Sequence, residues 1–257
     1  MAQLSGMIAD RAVLAMEGTD ARAVLQGVVT SDVDRLAPDC ALYSALLTPQ
    51  GKYLFDFFMG LRGGEMFIDV ARDQAAPLAQ RLMMYRLRRD MEIAGAETPV
   101  ALVWGEGAPP PGARPDPRAA GLGWRVYGAA PDVEAAARAD YDALRIAHTA
   151  PETGVELLPN ETFILEAGFE RLNGVDFRKG CYVGQEVTAR MKHKTELKKG
   201  LARVRVEGEA TPGTPLMAEG KPAGALFTNI GGEGLAHLRF DRAAGEMLAG
   251  DAVVRRA

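Results

Sequence analysis

Cysteine is nearly absent from this chain: 257 residues hold only Cys40 and Cys181, far apart. A disulfide framework is therefore not expected, and a reducing cytoplasm is the expected setting. Histidine is almost as scarce, with three. Protein-only zinc and iron–sulfur sites take about four cysteine or histidine ligands, so no resident metal is expected. Any iron–sulfur cluster would belong to a partner or be shared briefly. No run of about 18 apolar residues occurs, so neither a membrane span nor a membrane partner is expected. The N-terminus, MAQLSGMIADRAVLAMEG, has an acid and a base early and no long apolar stretch, unlike a signal peptide. Excess positive charge is missing too. A net charge of −4 argues against coating nucleic acid by bulk electrostatics, and a nucleic-acid partner is not expected.

What is there is ordinary soluble-protein composition, 47% hydrophobic and 25% charged, in a chain long enough for two or three subdomains. Strands are predicted at 11–17, 41–47, 53–59 and 65–70, with turns at Pro49-Gln50-Gly51 and Gly63-Gly64. A helix with Thr19 or Asp20 as its cap follows the first strand, and 73–88 reads as another, before a strand at 91–93. This rhythm implies an α+β fold. Residues 105–118, GEGAPPPGARPDPR, hold five prolines and three glycines and read as a loop between an N-terminal part, 1–104, and a second part, 119–195. The second part opens with a strand at 124–127 and a helix at 131–144 with Pro131 in its first turn. From 196 to 257 short segments (LARVRV, PLMAE, ALFTNI, LAHLRF, DAVVRR) separated by Gly and Pro turns predict a small β-barrel.

The stretch with chemical content is NGVDFRKGCYVGQEVTARMKHKTELKKG, 173–200. Cys181 sits two residues after Lys179, among Arg178, Arg190, Lys192, Lys194, Lys198 and Lys199. A cationic surround favours the thiolate, which attacks electrophiles and binds soft metals. Gly180 and Gly184 let backbone approach closely, and Gln185 and Glu186 suit the donor–acceptor edge of a heterocycle. The same residues also fit a plain structural role, with Cys181 a small buried hydrophobe and the lysines a solvated face.

Lys179-Gly180-Cys181-Tyr182-Val183-Gly184-Gln185-Glu186, followed by Ala189-Arg190, resembles the signature of the YgfZ family, folate-binding proteins similar to the glycine-cleavage T-protein. The resemblance continues in Leu25-Gln26-Gly27-Val28-Val29-Thr30-Ser31-Asp32-Val33, in Gln50-Gly51-Lys52 and in residues 86–93. It implies a T-protein-like folate-binding α+β core with a small C-terminal β-barrel. It further implies a tetrahydrofolate ligand, or a one-carbon derivative of it, and a role beside iron–sulfur client or assembly proteins. Residue by residue, Asp56 matches the aspartate set against the reactive side of the folate. Glu166, in FILEAG, matches the glutamate that grips the amino-pyrimidine ring, and Tyr141 matches an aromatic presented to the ligand. Gln185 stands where the T-protein tends to carry a base, and Cys181 is not a T-protein feature.

The expected function is thus a tetrahydrofolate-binding accessory factor in assembly or repair of iron–sulfur proteins, with Cys181 and Asp56 as the reactive groups. Two other functions share these features. One is a folate-dependent aminomethyl- or methyltransferase of the T-protein type, which needs Asp56 and Glu166 but no cysteine. The other is an RNA-binding accessory of tRNA modification, using the basic run from Arg178 to Lys199.

Overall fold

The computed structural model describes residues 4–194 and 196–257, Lys194 by its backbone alone. The chain opens with strands β1 (Leu4–Ile8) and β2 (Arg11–Glu17) and the short helix α1 (Ala21–Gln26). Strands β3 (Leu42–Leu47), β4 (Tyr53–Arg62) and β5 (Glu65–Ala71) form a meander, followed by α2 (Ala75–Arg86), β6 (Glu92–Ala96) and β7 (Val100–Gly105). Then come β8 (Arg114–Pro115), β9 (Trp124–Tyr127), β10 (Glu134–Ala135), α3 (Arg138–Ala147) and α4 (Gln185–Lys194). The C-terminal strands are β11 (Lys199–Glu207), β12 (Pro215–Ala218), β13 (Lys221–Ile230), β14 (Glu233–Arg239), β15 (Met247–Ala249) and β16 (Ala252–Arg256).

These strands build three units: a sheet ordered β3-β4-β5-β2-β6, a sheet ordered β10-β1-β7-β9-β8, and a closed barrel β11-β14-β13-β12-β15-β16. The first sheet is covered on both faces. Phe57, Met59, Ile68 and Val70 pack with Leu78 and Leu82 of α2 on one side, while Tyr43, Ala45, Tyr53 and Phe58 pack with Phe169 and Leu172 on the other. Double coverage explains why β4, YLFDFFMGLR, is almost continuously apolar rather than alternating. In the barrel the opposite holds. β11, KGLARVRVE, buries every second residue because one face fills the interior and the other meets solvent.

The α+β core and terminal barrel match expectation, and local boundaries differ where pairing overrides propensity. The helix expected over 131–144 begins only at Arg138. Residues Glu134 and Ala135 pair in parallel with Ser5 and Gly6 of β1 instead, which outweighs the helix preference of the alanine-rich stretch. The 105–118 segment carries the two-residue β8 and lies within a sheet whose strands come from both sides of it. Strands β1, β7 and β15 and helix α4 were not foreseen. Helix α2 stops at Leu87, where φ is 52° and ψ −111°, a backbone that costs a leucine about 1–3 kcal/mol.

The barrel is joined to the core through a buried cation. Arg145 of α3, which packs on β13 and β14, donates to Glu156 at 3.1 Å, to the Ala150 carbonyl at 3.0 Å and to Thr228 Oγ1 of β13 at 3.1 Å. Glu156 in turn accepts from the Thr228 N–H at 3.3 Å. Removing one member of such a pair strands the other charge away from water. Arg145→Met is expected to lower unfolding stability by about 3–5 kcal/mol, read from the urea midpoint at unchanged slope.

Candidate functional site

The loop that carries Cys181 is held on both sides. Lys179 is buried, and its ammonium donates to the carbonyl oxygens of Val29 and, at 3.0 Å, of Ser31. That receiving segment is itself tied down. Thr30 Oγ1 donates to the Gly174 carbonyl at 2.6 Å and accepts from the Ala45 N–H at 2.8 Å, and the Asp176 N–H donates to the Thr30 carbonyl at 2.9 Å. On the other side Gly184 lies against the β3–β4 turn with φ 82°. A Cβ there would stand 2.6 Å from the Thr48 carbonyl oxygen and 3.1 Å from Cα of Gly51. Gly51, with φ 74°, faces α4 so closely that a Cβ on it would meet Cβ of Val187 at 2.8 Å. Only glycine supplies both this backbone and this approach. Three distant sequence segments, 25–33, 50–52 and 179–186, therefore form one contact.

Cys181 is exposed between the two anchors, so it is not the buried hydrophobe of the plain structural reading. Of the basic residues that crowd this segment in the sequence, Arg178 and Lys198 have no carboxylate partner among the described residues, and others are engaged. Lys179 is turned inward, Arg190 pairs with Glu186 at 2.9 Å, and Lys192 pairs with Glu170. The Lys194 side chain lies outside the described residues. Gln185, at the start of α4, reaches the Gly180 carbonyl at 3.5 Å and stays with its own loop. Burial pushes the Lys179 ammonium down to about 8, against the attraction of Asp32 and Asp176.

Asp56 sits elsewhere, in the wall of a cavity of about 240 Å³ that Tyr141, Arg118, Arg138 and Thr153 also line. Its carboxylate is buried and accepts from Tyr43 at 3.0 Å, from Tyr53 at 2.8 Å and from Thr153. A β-bulge between Leu46 and Leu47 on β3 and their β4 partners makes this grouping possible. Asp56 pairs with Ala45 and Tyr53 with Leu47, so residues three apart in β4 share a face. Burial first, and then the Asp56 charge, raises the pKa of both phenols, keeping them as donors. The nearby guanidiniums have other partners. Arg118 grips Asp116 at 2.8 and 3.0 Å and donates to Tyr141 at 2.8 Å, while Arg125 pairs with Asp69 at 2.7 Å and lies on the Phe58 ring. Among the described residues no cation pairs with Asp56. It is a carboxylate supported by neutral hydroxyls, free to accept N–H donors from a ligand.

Glu166 opens onto a second cavity, of about 280 Å³, with Met191, Leu197, Lys198, Lys199 and Arg239. Its carboxylate lies 3.6 Å from the Lys199 ammonium and 3.4 Å from His237 Nε2. The fold thus brings Asp56 and Tyr141 together and sets Glu166 and Cys181 apart from them. Sequence reasoning missed Tyr43, Tyr53, Thr153 and Arg118. Tyr53 had a local signal, its place in GKYLFD, but the bulge that turns it toward Asp56 is invisible without the partner strand.

Two outcomes follow. Gly184→Ala is expected to cost about 1–2 kcal/mol from the left-handed backbone alone and more from the Thr48 contact, read by thermal melting. For Lys179 the folded pKa, about 8, lies below the ordinary 10.5, so between those values the unfolded chain binds more protons. Stability should rise with pH across that window, and denaturant titrations at both ends should show that rise diminished in Lys179→Met.

Comparison with known proteins bears on fold and family. Residues 198–257 match the family described as CAF17, C-terminal beta-barrel domain. The solved glycine cleavage system aminomethyltransferase T from Bartonella henselae superposes with a TM-score of 0.80, covering 99% of this chain and 85% of that one at 14% identity, which establishes a shared fold. The Mus musculus iron-sulfur cluster assembly factor IBA57, mitochondrial, is 30% identical, covering 92% of this chain and 78% of the mouse protein. The Homo sapiens IBA57 protein is 29% identical with the same coverage, and a Phaeosphaeria nodorum homolog is 28% identical over 90% of this chain and 69% of its own. These relatives are named as mitochondrial proteins, which overturns the expected cytoplasmic location. Scarce cysteine marks a reducing milieu and does not say which compartment provides it. With a T-protein fold, a CAF17-type barrel and this identity over nine-tenths of its length, the chain belongs to the IBA57 family of iron–sulfur cluster assembly factors.

Proposed function

We propose that the chain binds the pterin ring of a tetrahydrofolate-type ligand against Asp56 and presents Cys181 to an iron–sulfur protein under assembly or repair. The observation that carries the folate reading is the Asp56 carboxylate, buried, held by three hydroxyls and facing a cavity. A pterin edge is rich in N–H donors, and a carboxylate that no cation neutralises is the acceptor such an edge requires. The volume supports the same reading. About 240 Å³ lies just under the roughly 300–1,000 Å³ of sites that enclose drug-sized ligands. It suits a bicyclic ring, with the glutamyl tail left outside. Tyr141 adds an aromatic wall whose hydroxyl is held by Arg118. Glu166 opens onto the other cavity, so the ring-binding role falls to Asp56.

The thiol reading rests on the exposure of Cys181 between two rigid anchors, and the names of the relatives support an iron–sulfur setting. A lone surface thiol can supply one ligand or one nucleophile, so the remaining groups would come from the partner.

Calorimetric titration with tetrahydrofolate tests the first part, on wild type, Asp56→Asn and Glu166→Ala. Micromolar binding is expected for wild type and Glu166→Ala, weakened about tenfold or more in Asp56→Asn. Loss in Glu166→Ala alone would move the ring to the second cavity, and no binding by wild type would overturn the folate reading. For the thiol, Cys181→Ser is expected to fold normally yet fail to restore an iron–sulfur enzyme in a strain lacking this chain. Full rescue would remove the cysteine from the function. Robust formation of methylenetetrahydrofolate from the lipoyl carrier protein would favour an aminomethyltransferase instead.

A further inference from the structure

The end of α2 and the residues after it form a corner that neither the Asp56 cavity nor the Cys181 loop uses. Leu78 and Leu82 of this helix are buried, while Met84 is 64% exposed and Leu87 is 84% exposed. The backbone at Leu87 is left-handed, with φ 52°, so an apolar side chain is held in water on a backbone that disfavours it. Arg81, Arg88 and Arg89 are exposed around these two residues. The neighbouring acids do not neutralise them. Glu92 pairs with Arg86 at 2.7 Å, and Asp90 accepts from the N–H and hydroxyl of Thr19 at 2.8 and 3.0 Å. Among the described residues no carboxylate pairs with Arg81, Arg88 or Arg89. Residues 81–89 thus set three exposed arginines, Arg81, Arg88 and Arg89, around an apolar tip of Met84 and Leu87, on a chain whose net charge is −4.

We infer that this corner is a docking surface for an acidic protein partner. The partner sets carboxylates against Arg81, Arg88 and Arg89 and closes an apolar contact over Met84 and Leu87. The basic groups here are all arginine, whereas the run from Lys179 to Lys199 is mostly lysine. Guanidinium meets carboxylate in a bidentate fork that an ammonium cannot form. Arginine and methionine are also the residues enriched where protein interfaces bury their core. A flat anionic bilayer fits less well, because it would repel the rest of an acidic molecule, while a partner's local acidic face need match only this corner. The inference stands on this surface alone and does not depend on folate binding or on the thiol.

The test is photo-crosslinking of the full chain with p-benzoylphenylalanine in place of Met84, in cells that depend on this protein, with adducts mapped by mass spectrometry. The expected adducts are protein segments rich in aspartate and glutamate. Their yield should fall about tenfold in Arg88→Glu with Arg89→Glu, the scale of losing close interfacial charge pairs, and should fall at high salt, where screening shortens to about 3 Å. Leu87→Gly separates docking from folding: it relieves the backbone, so it should melt no lower than wild type and still lose the adducts. Adducts to lipid, adducts to segments without acids, or a yield unchanged by charge reversal and by Leu87→Gly would each overturn the assignment.

Discussion

The buried ammonium of Lys179 organises the region around the cysteine. A charge removed from water needs compensation, and here two backbone carbonyls of the 29–31 segment supply it. Those carbonyls are in position because Thr30 is hydrogen-bonded to β3 and to the Gly174 turn. One side chain therefore ties the first strand–helix unit to the cysteine loop, across about 150 residues of chain. The fold depresses the Lys179 pKa in doing so, because burial disfavours the charged form. Lysine at this position acts as a clasp.

The glycine pair completes what the clasp begins. Gly51 and Gly184 remove the side chains that would keep the β3–β4 turn and the start of α4 apart. With both ends of the 179–186 loop fixed, the residue between them is directed to solvent. Exposure of Cys181 is thus a consequence of burial on either side of it: Lys179 and Tyr182 point in, and Cys181 points out. The thiol is exposed, whereas the Asp56 carboxylate, walled by tyrosines and arginines, is buried and faces a cavity.

Buried charge recurs as the means of joining parts. Arg145 links α3 to the barrel through Glu156 and Thr228, and Arg125 links two sheets through Asp69 of β5 and Asp116 beside β8. Each arginine is also close to the Asp56 cavity. The arginines that line it are committed to structural partners, and among the described residues no cation pairs with Asp56. A cavity with so many guanidiniums would otherwise be read as a site for anions, and their pairing with carboxylates argues against that reading.

The chain's local patterns were sufficient for the α+β class, the C-terminal barrel, the three meander strands and the three segments joined at the cysteine loop. Alternating burial in β11, Gly–Pro turns and an unusual cysteine motif are all properties of short windows. The two-residue β10, the late start of α3 and the shared face of Tyr53 and Asp56 were not legible, because each depends on a partner strand distant in sequence. The same limit applied to the site. The residue types Asp56, Glu166, Tyr141 and Cys181 could be named from the sequence, but not that Asp56 and Tyr141 share one cavity, that Glu166 faces another, or that Lys179 turns away from the thiol. Short windows were enough to name the reactive groups the chain offers, since residue type and spacing are local properties. Tertiary structure alone decided which of those groups meet, since burial, charge pairing and backbone approach are relations between segments that the chain brings together only on folding.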